Sequence, residues 1–255
     1  MLTELLINVS FGALVGLVIG ATGVGGGTLM TPLLLFGYGL PLGLAIGTDL
    51  VYACFTKLAA LRRYAREDSI DWRMVWLLSC GSLPTAAIVL LLWPGLSQAF
   101  EYTASRLLGV VLVATALALL LRPWLLRRLR HKHQRNGSAH QLVLVGMMIG
   151  AAVALTSVGA GVLGTLALLI IAPTIAVTRL IGSEIAHAIV LTSVGGLGHA
   201  WLANVDWMLA LSLSAGSIPA AMLGAKLAHH RLNGHLRNLL VVLISLCGLR
   251  LALGW

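Results

Sequence analysis

The feature that most constrains the fold of this chain is an uncharged run of 44 residues, Leu5–Thr48, which carries a glycine cluster, Gly23–Gly27, near its middle. One continuous helix of that length would extend about 66 Å, roughly twice the hydrocarbon thickness of a bilayer. Each glycine inside a helix costs about 1 kcal/mol relative to alanine, so the helix is predicted to break at the cluster. The break would lie at membrane depth, where non-helical backbone is tolerated only beside protein or a water-filled cavity.

The composition predicts a membrane protein along its whole length. Hydrophobic residues make up 59% of the 255 residues and charged residues 10%, which is far from the composition of a soluble domain. The net charge of +9 does not indicate a nucleic-acid partner, because Lys and Arg cluster at the ends of apolar segments, as in cytoplasmic loops. The uncharged runs are 5–48, 74–97, 107–121, 142–178, 207–225 and 238–249.

The two halves of the chain repeat one another. Gly47-Thr48-Asp49 recurs 135 residues later as Gly182-Ser183-Glu184, and the glycine cluster recurs at a spacing of 134 as Ser157-Val158-Gly159-Ala160-Gly161. Matches at a nearly constant spacing indicate an internal duplication. The chain is therefore predicted to comprise repeat 1 (residues 1–121), a basic cytoplasmic linker (122–137) and repeat 2 (138–255).

The distribution of positive charge predicts how the repeats are oriented. If each half makes four crossings, the Lys and Arg residues other than Lys57 divide 11 to 5 across the membrane; if each glycine segment is a re-entrant hairpin, they divide 14 to 2. Because Lys and Arg concentrate in cytoplasmic loops, the second arrangement is favoured. It predicts an all-α polytopic membrane protein of two inverted repeats, with both termini on the periplasmic or extracellular side. The predicted hairpins are 5–38 and 141–174, and the predicted transmembrane helices are 41–62, 73–93, 104–122, 179–201, 207–227 and 236–253.

Both breaks are candidate sites for an anion. The start of a half-helix presents free backbone N–H groups and the positive end of its dipole, and hydroxyl groups flank both breaks. The alternative is that the glycines only allow close helix packing. The candidate substrate-binding residues are Thr22, Gly23, Gly25, Gly26, Gly27, Thr28, Thr48, Lys57, Thr156, Ser157, Gly159, Gly161 and Ser183.

Two carboxylates, Asp49 and Glu184, occupy equivalent positions in the two repeats. Ionised carboxylates inside a membrane are costly and therefore face a cavity or a partner. They are candidates for proton exchange or for balancing substrate charge, together with His187, which lies three residues after Glu184 on one helix face. The alternative is a structural ion pair with Lys57 or Arg179, and a histidine that is only hydrogen-bonded within the bundle.

The sequence contains no catalytic constellation. It has no H-x-x-x-H zinc motif, no G-x-S-x-G nucleophile motif and no P-loop, so no enzyme activity, cofactor or resident metal is predicted.

The chain resembles the TauE/SafE family of bacterial membrane transporters, the sulfite exporter-like proteins, along essentially its whole length. The resemblance rests on Gly23–Gly27 followed by Pro32-Leu33-Leu34, on Ala45-Ile46-Gly47-Thr48 and on Ser69-Ile70-Asp71-Trp72. It implies a multi-pass protein of the bacterial inner (plasma) membrane that exports sulfite, sulfoacetate or a related small organic anion. Two features depart from the family pattern: Ala160 interrupts the glycines of the second break, and Asp49 stands where many members carry a small polar residue.

The resulting hypothesis is a secondary transporter of a small anion, with protons as the coupling ion and the lipid bilayer as its surroundings. Asp49, Glu184 and His187 would couple transport to protons. Two alternatives stay open: a cation carrier or channel that uses the paired carboxylates, and a non-transporting membrane scaffold. Homo-oligomerisation is also left open.

Overall fold

The computed structural model describes residues 2–22, 26–66, 69–93, 98–129, 137–227 and 233–253, and these residues form helices and short connections without any β-strand. A π-helical segment, Leu33–Gly37, continues α2. The α-helices are α1 (Leu2–Thr22), α2 (Gly27–Pro32), α3 (Leu42–Arg66), α4 (Trp72–Leu92), α5 (Gln98–Leu129), α6 (Ala139–Thr156), α7 (Val162–Ile171), α8 (Val177–Trp201), α9 (Trp207–Leu227) and α10 (Asn233–Leu253).

Seven of these helices are long and apolar enough to cross a membrane: α1, α3, α4, α5, α6, α8 and α9. Large apolar side chains cover their outer faces; Trp76 and Met148, for example, are 70% and 73% exposed. Apolar exposure on this scale suits a lipid environment. The all-helical, multi-pass architecture predicted from the sequence is confirmed.

Both predicted helix breaks are present. In the first half α1 ends at Thr22 and α2 begins at Gly27, and Gly23–Gly25 lie outside the described residues. In the second half α6 ends at Thr156 and α7 begins at Val162. With ten residues, α7 extends about 15 Å, half of a hydrocarbon core.

Each half packs its first helix against the other half, α1 on α9 and α6 on α4. Glycines spaced four residues apart bring the backbones together, because a Cβ at any of them would collide with a carbonyl of the facing helix. Residue numbers rise together along both contacts, so each pair is parallel. The contacts are Gly12 with Leu213, Gly16 with Ser217, Gly146 with Leu78 and Gly150 with Ser82.

The equivalent helices α3 and α8 pack against each other in opposite directions. Gly47 meets His199, Leu50 meets Gly195, and the Sγ of Cys54 lies 3.1 Å from the Oγ of Ser193. Residue numbers therefore rise along α3 as they fall along α8. An antiparallel contact between equivalent helices is what an inverted repeat requires; the orientation of the halves across a membrane stays a prediction.

The helix directions also support the hairpin path of each glycine segment. The connection 202–206 returns the chain from α8 to α9, so α9 runs with α3. Because α1 is parallel to α9, α1 and α3 run in the same direction, and α2 with its π-helical extension returns between them. Whether this hairpin re-enters a membrane stays a prediction.

The start of the predicted linker is helical. Helix α5, predicted over 104–122, runs over Gln98–Leu129 and passes through Pro123, so it enters the predicted linker 122–137. Leu and Arg, which make up most of residues 121–129, are strong helix formers, and the helix continues where the charge begins. Residues 130–136 of the linker lie outside the described residues.

Candidate functional site

The two breaks meet at the centre of the fold. Gly27 opens α2 and lies against the backbone of Ser157 in the second break, where a Cβ would collide with the Ser157 carbonyl oxygen. The same Cβ would lie 3.1 Å from Oδ2 of Asp49. The glycine at position 27 is therefore required by close approach rather than by backbone conformation.

The second break has a defined backbone path. Ser157, Gly159 and Gly161 have φ angles of 58°, 133° and 147°, in the region that favours glycine. The Thr156 hydroxyl donates to the carbonyl of Ala152 at 2.6 Å and accepts from the N–H of Val158 at 3.2 Å. Thr156 thus closes the end of α6 with its own side chain.

A narrow crevice lies where the two breaks meet, and it is too tight in this conformation to admit a water molecule. Outside the helices of the described residues, no backbone hydrogen bond has its donor between Gly159 and Leu163, so the N–H groups that lead into α7 have no backbone acceptor there. Such a helix start suits an anion. The crevice is lined by Gly27, Thr28, Thr115, Ser157, Val158, Gly159, Ala160, Val162 and Leu163.

Lys57 brings a positive charge from α3 to the second break. Its ammonium donates to the carbonyl of Ala160, a crevice residue, at 3.1 Å, and its side chain is half-buried. The equivalent residue of the second half, Thr192, is buried and donates to the carbonyl of Ala188 within its own helix. The cation is therefore present on one side of the pseudo-symmetric centre only.

Asp49 is completely buried on α3, beside the point where the breaks meet. Its Oδ2 accepts a hydrogen bond from the hydroxyl of Thr31 in α2. Its Oδ1 has no hydrogen-bond partner in the described part of the chain. The carboxylate therefore retains an unused acceptor at the centre of the fold.

Glu184 is buried on α8 against the first turn of α7. A Cβ on Gly164 would lie 3.1 Å from its Oε1, and that oxygen also has no hydrogen-bond partner among the described residues. Lys57 interacts electrostatically with both carboxylates, but its ammonium binds the Ala160 carbonyl, and Arg179 is exposed. The two carboxylates and the lysine form one charged group around the crevice.

His187 and its equivalent Tyr52 make matching contacts across the two repeats. The Nε2 of His187 shares a hydrogen bond of 2.8 Å with Ser82, and the Tyr52 hydroxyl shares one of 2.6 Å with Ser217, the equivalent of Ser82. The Nδ1 of His187 has no partner among the described residues. His187 therefore keeps one ring nitrogen for a proton or a ligand.

The hydroxyls of Thr48 and Ser183 accept hydrogen bonds from backbone N–H groups at the starts of two helices of the opposite half, α9 and α4. Thr48 accepts from the N–H of Asp206 at 3.0 Å, and Ser183 accepts from the N–H of Asp71 at 2.7 Å. The two aspartates in turn cap α9 and α4 through their side chains. Thr48 and Ser183 do not line the crevice, although both were predicted to bind substrate.

We expect the variants Thr48→Val and Ser183→Ala to lose stability without losing ligand affinity. Each removes a buried acceptor from a helix-start N–H, a loss of about 1–3 kcal/mol in the free energy of unfolding. Chemical unfolding and anion titration of the two purified variants measure both effects. A loss of affinity at unchanged stability would return these hydroxyls to the binding site.

The other residues predicted to form the site differ in how close they lie to the crevice. Gly26 is the N-cap of α2, and a Cβ there would lie 3.5 Å from the Tyr52 ring. Thr22 ends α1, but its side chain lies outside the description, as do Gly23 and Gly25. The residues that the structure brings to the crevice or its edge are Gly27, Thr28, Lys57, Ser157, Gly159 and Gly161, with Asp49, Glu184 and Thr156 packed behind it.

Two residues at the centre were missed by the sequence analysis. Thr31, the donor to Asp49, has a counterpart at the spacing of 134 in Thr165, so the repeat itself could have identified it. Thr115 lines the crevice from α5 and bonds the carbonyl of Val111 in its own helix. A single threonine in an apolar helix carries no signal that separates it from packing residues.

Together, the seven long apolar helices and the crevice between two broken helices define a multi-pass membrane protein with a central candidate ligand site. The family model described as "Sulfite exporter TauE/SafE" matches residues 9–251. The chain belongs to this family.

Curated relatives match over most of their length. The chain is 34% identical over 247 residues to "Probable membrane transporter protein YjnA" of Bacillus subtilis, covering 94% of this chain and 96% of the relative. It is 24% identical over 218 residues to "Probable membrane transporter protein YdhB" of Bacillus subtilis, covering 84% of this chain and 86% of the relative. It is 25% identical over 272 residues to "Probable membrane transporter protein MJ0441" of Methanocaldococcus jannaschii, covering 98% of this chain and 95% of the relative. No solved structure matches the chain.

Proposed function

We propose that this protein is a secondary transporter that exports a small anion, with sulfite, sulfoacetate or a related organosulfur anion as substrate, across the bacterial inner membrane. The observation that carries the proposal is the crevice at the start of α7, where the N–H groups of Gly159–Leu163 have no backbone acceptor and the Lys57 ammonium binds the Ala160 carbonyl. The names of the relatives and the family support transport as the activity.

The chemistry of the crevice favours an oxyanion. Backbone N–H groups at a helix start and a nearby ammonium both attract negative charge, and Thr28 and Ser157 border the same space. The carboxylates of Asp49 and Glu184 pack behind the lining residues. A small anion with several oxygen atoms could accept hydrogen bonds from several of these donors at once.

Transport requires the crevice to open, since it is closed in this conformation. We propose that the two hairpins separate at the contact between Gly27 and Ser157 and expose the site to one side at a time. With inverted repeats, equivalent movements of the two halves would open opposite sides. In the orientation predicted from the Lys and Arg distribution, both termini lie on the periplasmic side.

We propose that protons drive transport through Asp49, Glu184 and His187. When all three central charged side chains are ionised, the two carboxylates outnumber the single ammonium of Lys57 by one. Unbalanced charge is costly inside a membrane, so uptake of one proton is favourable when no other cation is present. His187, with a free Nδ1 in the described surroundings, is the candidate to pass that proton on.

The experiment that tests the proposed function measures exchange of radiolabelled sulfite and sulfoacetate in proteoliposomes, with Lys57→Met compared with the wild-type protein. Loss of a charge-assisted contact of about 1.5–3 kcal/mol predicts roughly ten- to hundredfold weaker apparent affinity. Methionine keeps the length and apolar stem of lysine, so packing is largely retained.

Lys226→Met is the matched control, because Lys226 lies one residue before the end of α9. It removes the same charge from a helix end and should leave exchange unchanged. Equal exchange in the wild-type protein and Lys57→Met, or exchange of no anion by the wild-type protein, would contradict the proposal.

A further inference from the structure

We propose that Asp49 and Ser157 form a binding site for one sodium ion at the end of α6, beside the anion crevice. The ligands are Oδ1 of Asp49 and the hydroxyl and carbonyl oxygens of Ser157. The inference rests on the proposed function, because it assigns a metal cation as a coupling ion of the same carrier, taken up by Asp49 in place of a proton.

The first observation is that two buried polar atoms at this point have no partner outside the pair Asp49 and Ser157. Asp49 is 0% exposed and Ser157 is 6% exposed. The Ser157 hydroxyl donates toward the Asp49 carboxylate, and neither Oδ1 of Asp49 nor Oγ of Ser157 has another partner among the described residues. Buried oxygens are seldom left unpaired, since each such group costs free energy. A small cation would satisfy both.

The second observation is the orientation of the Ser157 backbone. Ser157 is the C-cap of α6 and adopts a left-handed conformation, with φ 58° and ψ −3°. Its carbonyl oxygen and Oδ2 of Asp49 both lie close to the Gly27 Cα, within 3.1 Å of the point where a side chain there would begin. The C-terminal end of a broken helix carries partial negative charge, and unwound carbonyls of this kind can hold Na⁺ in membrane carriers.

The charges around the site favour a monovalent cation. When both carboxylates are ionised, Asp49 and Glu184 carry two negative charges against the one positive charge of Lys57, which interacts with both. The Lys57 ammonium lies on the carbonyl of Ala160, not on that of Ser157, so it does not take the position of the cation. The described residues contain no group of three His, Cys, Asp or Glu side chains able to hold a metal ion, which disfavours a divalent ion.

Glu184 lacks this setting, although it is the equivalent of Asp49. Its Oε1 faces Gly164, the third residue of α7, and therefore lies near the positive end of that helix dipole. A cation is disfavoured there. The pseudo-symmetric centre thus has a sodium-binding carboxylate on one side and a carboxylate suited to a proton on the other.

Thermal unfolding of the purified protein in detergent tests the site, in NaCl, KCl or choline chloride at equal ionic strength and one fixed pH. We expect the melting temperature to rise with the logarithm of the Na⁺ concentration and to change much less with K⁺ or choline. Asp49→Asn should abolish the Na⁺-dependent shift. Ser157→Gly removes the hydroxymethyl side chain, keeps the carbonyl oxygen and suits a φ of 58°, so it should fold and show a weakened shift.

Asp206→Asn, a carboxylate-to-amide change at the cap of α9 outside the crevice, is the control and should retain the Na⁺-dependent shift. Equal melting temperatures in NaCl and choline chloride, or an unchanged shift in Asp49→Asn, would overturn the inference. Anion-dependent shifts measured in choline chloride separate the two proposals. A response to sulfite without any response to Na⁺ rejects the sodium site alone, whereas a response to Na⁺ without any response to anions retains the site and rejects the anion carrier.

Discussion

Gly161→Ala is expected to abolish anion binding and exchange while leaving the protein folded. Gly161 caps α7 with φ 147° and ψ −106°, a conformation open almost only to glycine. An alanine in such a region costs about 1–3 kcal/mol of backbone strain. The backbone of the break, residues 157–161, can relieve this strain by rotating its peptide groups. That rotation would redirect the N–H groups of Gly159–Leu163 that form the proposed site. Exchange in proteoliposomes and the sulfite-dependent shift in melting temperature measure the loss.

Gly39→Ala is the matched control for this substitution. Gly39 also has a positive φ, 67°, but it lies in the connection before α3, where an added Cβ would meet nothing within 4 Å. The left-handed conformation costs alanine about 1–2 kcal/mol there. Stability should fall slightly and binding should not change. If Gly161→Ala binds sulfite as the wild-type protein does, the start of α7 is not the anion site.

Glu184→Gln is expected to uncouple transport from the proton gradient. Glutamine keeps the size of the side chain against Gly164 but neither gains nor loses a proton. If one proton moves with each anion, a gradient of one pH unit supports about tenfold accumulation, which corresponds to about 1.4 kcal/mol. The variant should lose this accumulation and retain exchange of labelled for unlabelled anion, which needs no net proton movement.

Asp206→Asn provides the control, because asparagine also caps helices and Asp206 caps α9 outside the crevice. This variant should keep both accumulation and exchange. If Glu184→Gln accumulates the anion as strongly as the wild-type protein under a pH gradient, Glu184 has no coupling role.

Most of the fold could be predicted from the sequence, because long apolar runs and glycine clusters act locally. The glycines at positions 23–27 and the run 157–161 predicted both breaks, and α5 continues through Pro123 into a segment of strong helix formers. The end of this helix, predicted at residue 122, was inaccurate because the structure continues it to Leu129. A charged segment at the end of an apolar helix can stay helical, and composition marks the end of the apolar part only.

The candidate site could be predicted in part. The repeat identified Asp49 and Glu184 as equivalent, and it identified Lys57 as unmatched. It could not show that the hydroxyls of Thr48 and Ser183 face helix starts of the opposite half, because that depends on how the halves pack. It also could not show that Thr31 donates to Asp49, because that contact depends on how α2 packs on α3.

The exchange of helix caps between the halves bears on how such a chain could have arisen. Thr48 of the first half completes the start of α9, and Ser183 of the second half completes the start of α4. These are the reciprocal contacts of an isologous homodimer, in which each subunit offers the same patch to the other. The protein is in this sense a dimer joined into one polypeptide, and gene fusion would then have let the two subunits diverge. One copy could acquire Lys57 and the other His187 while the shared interface stayed intact.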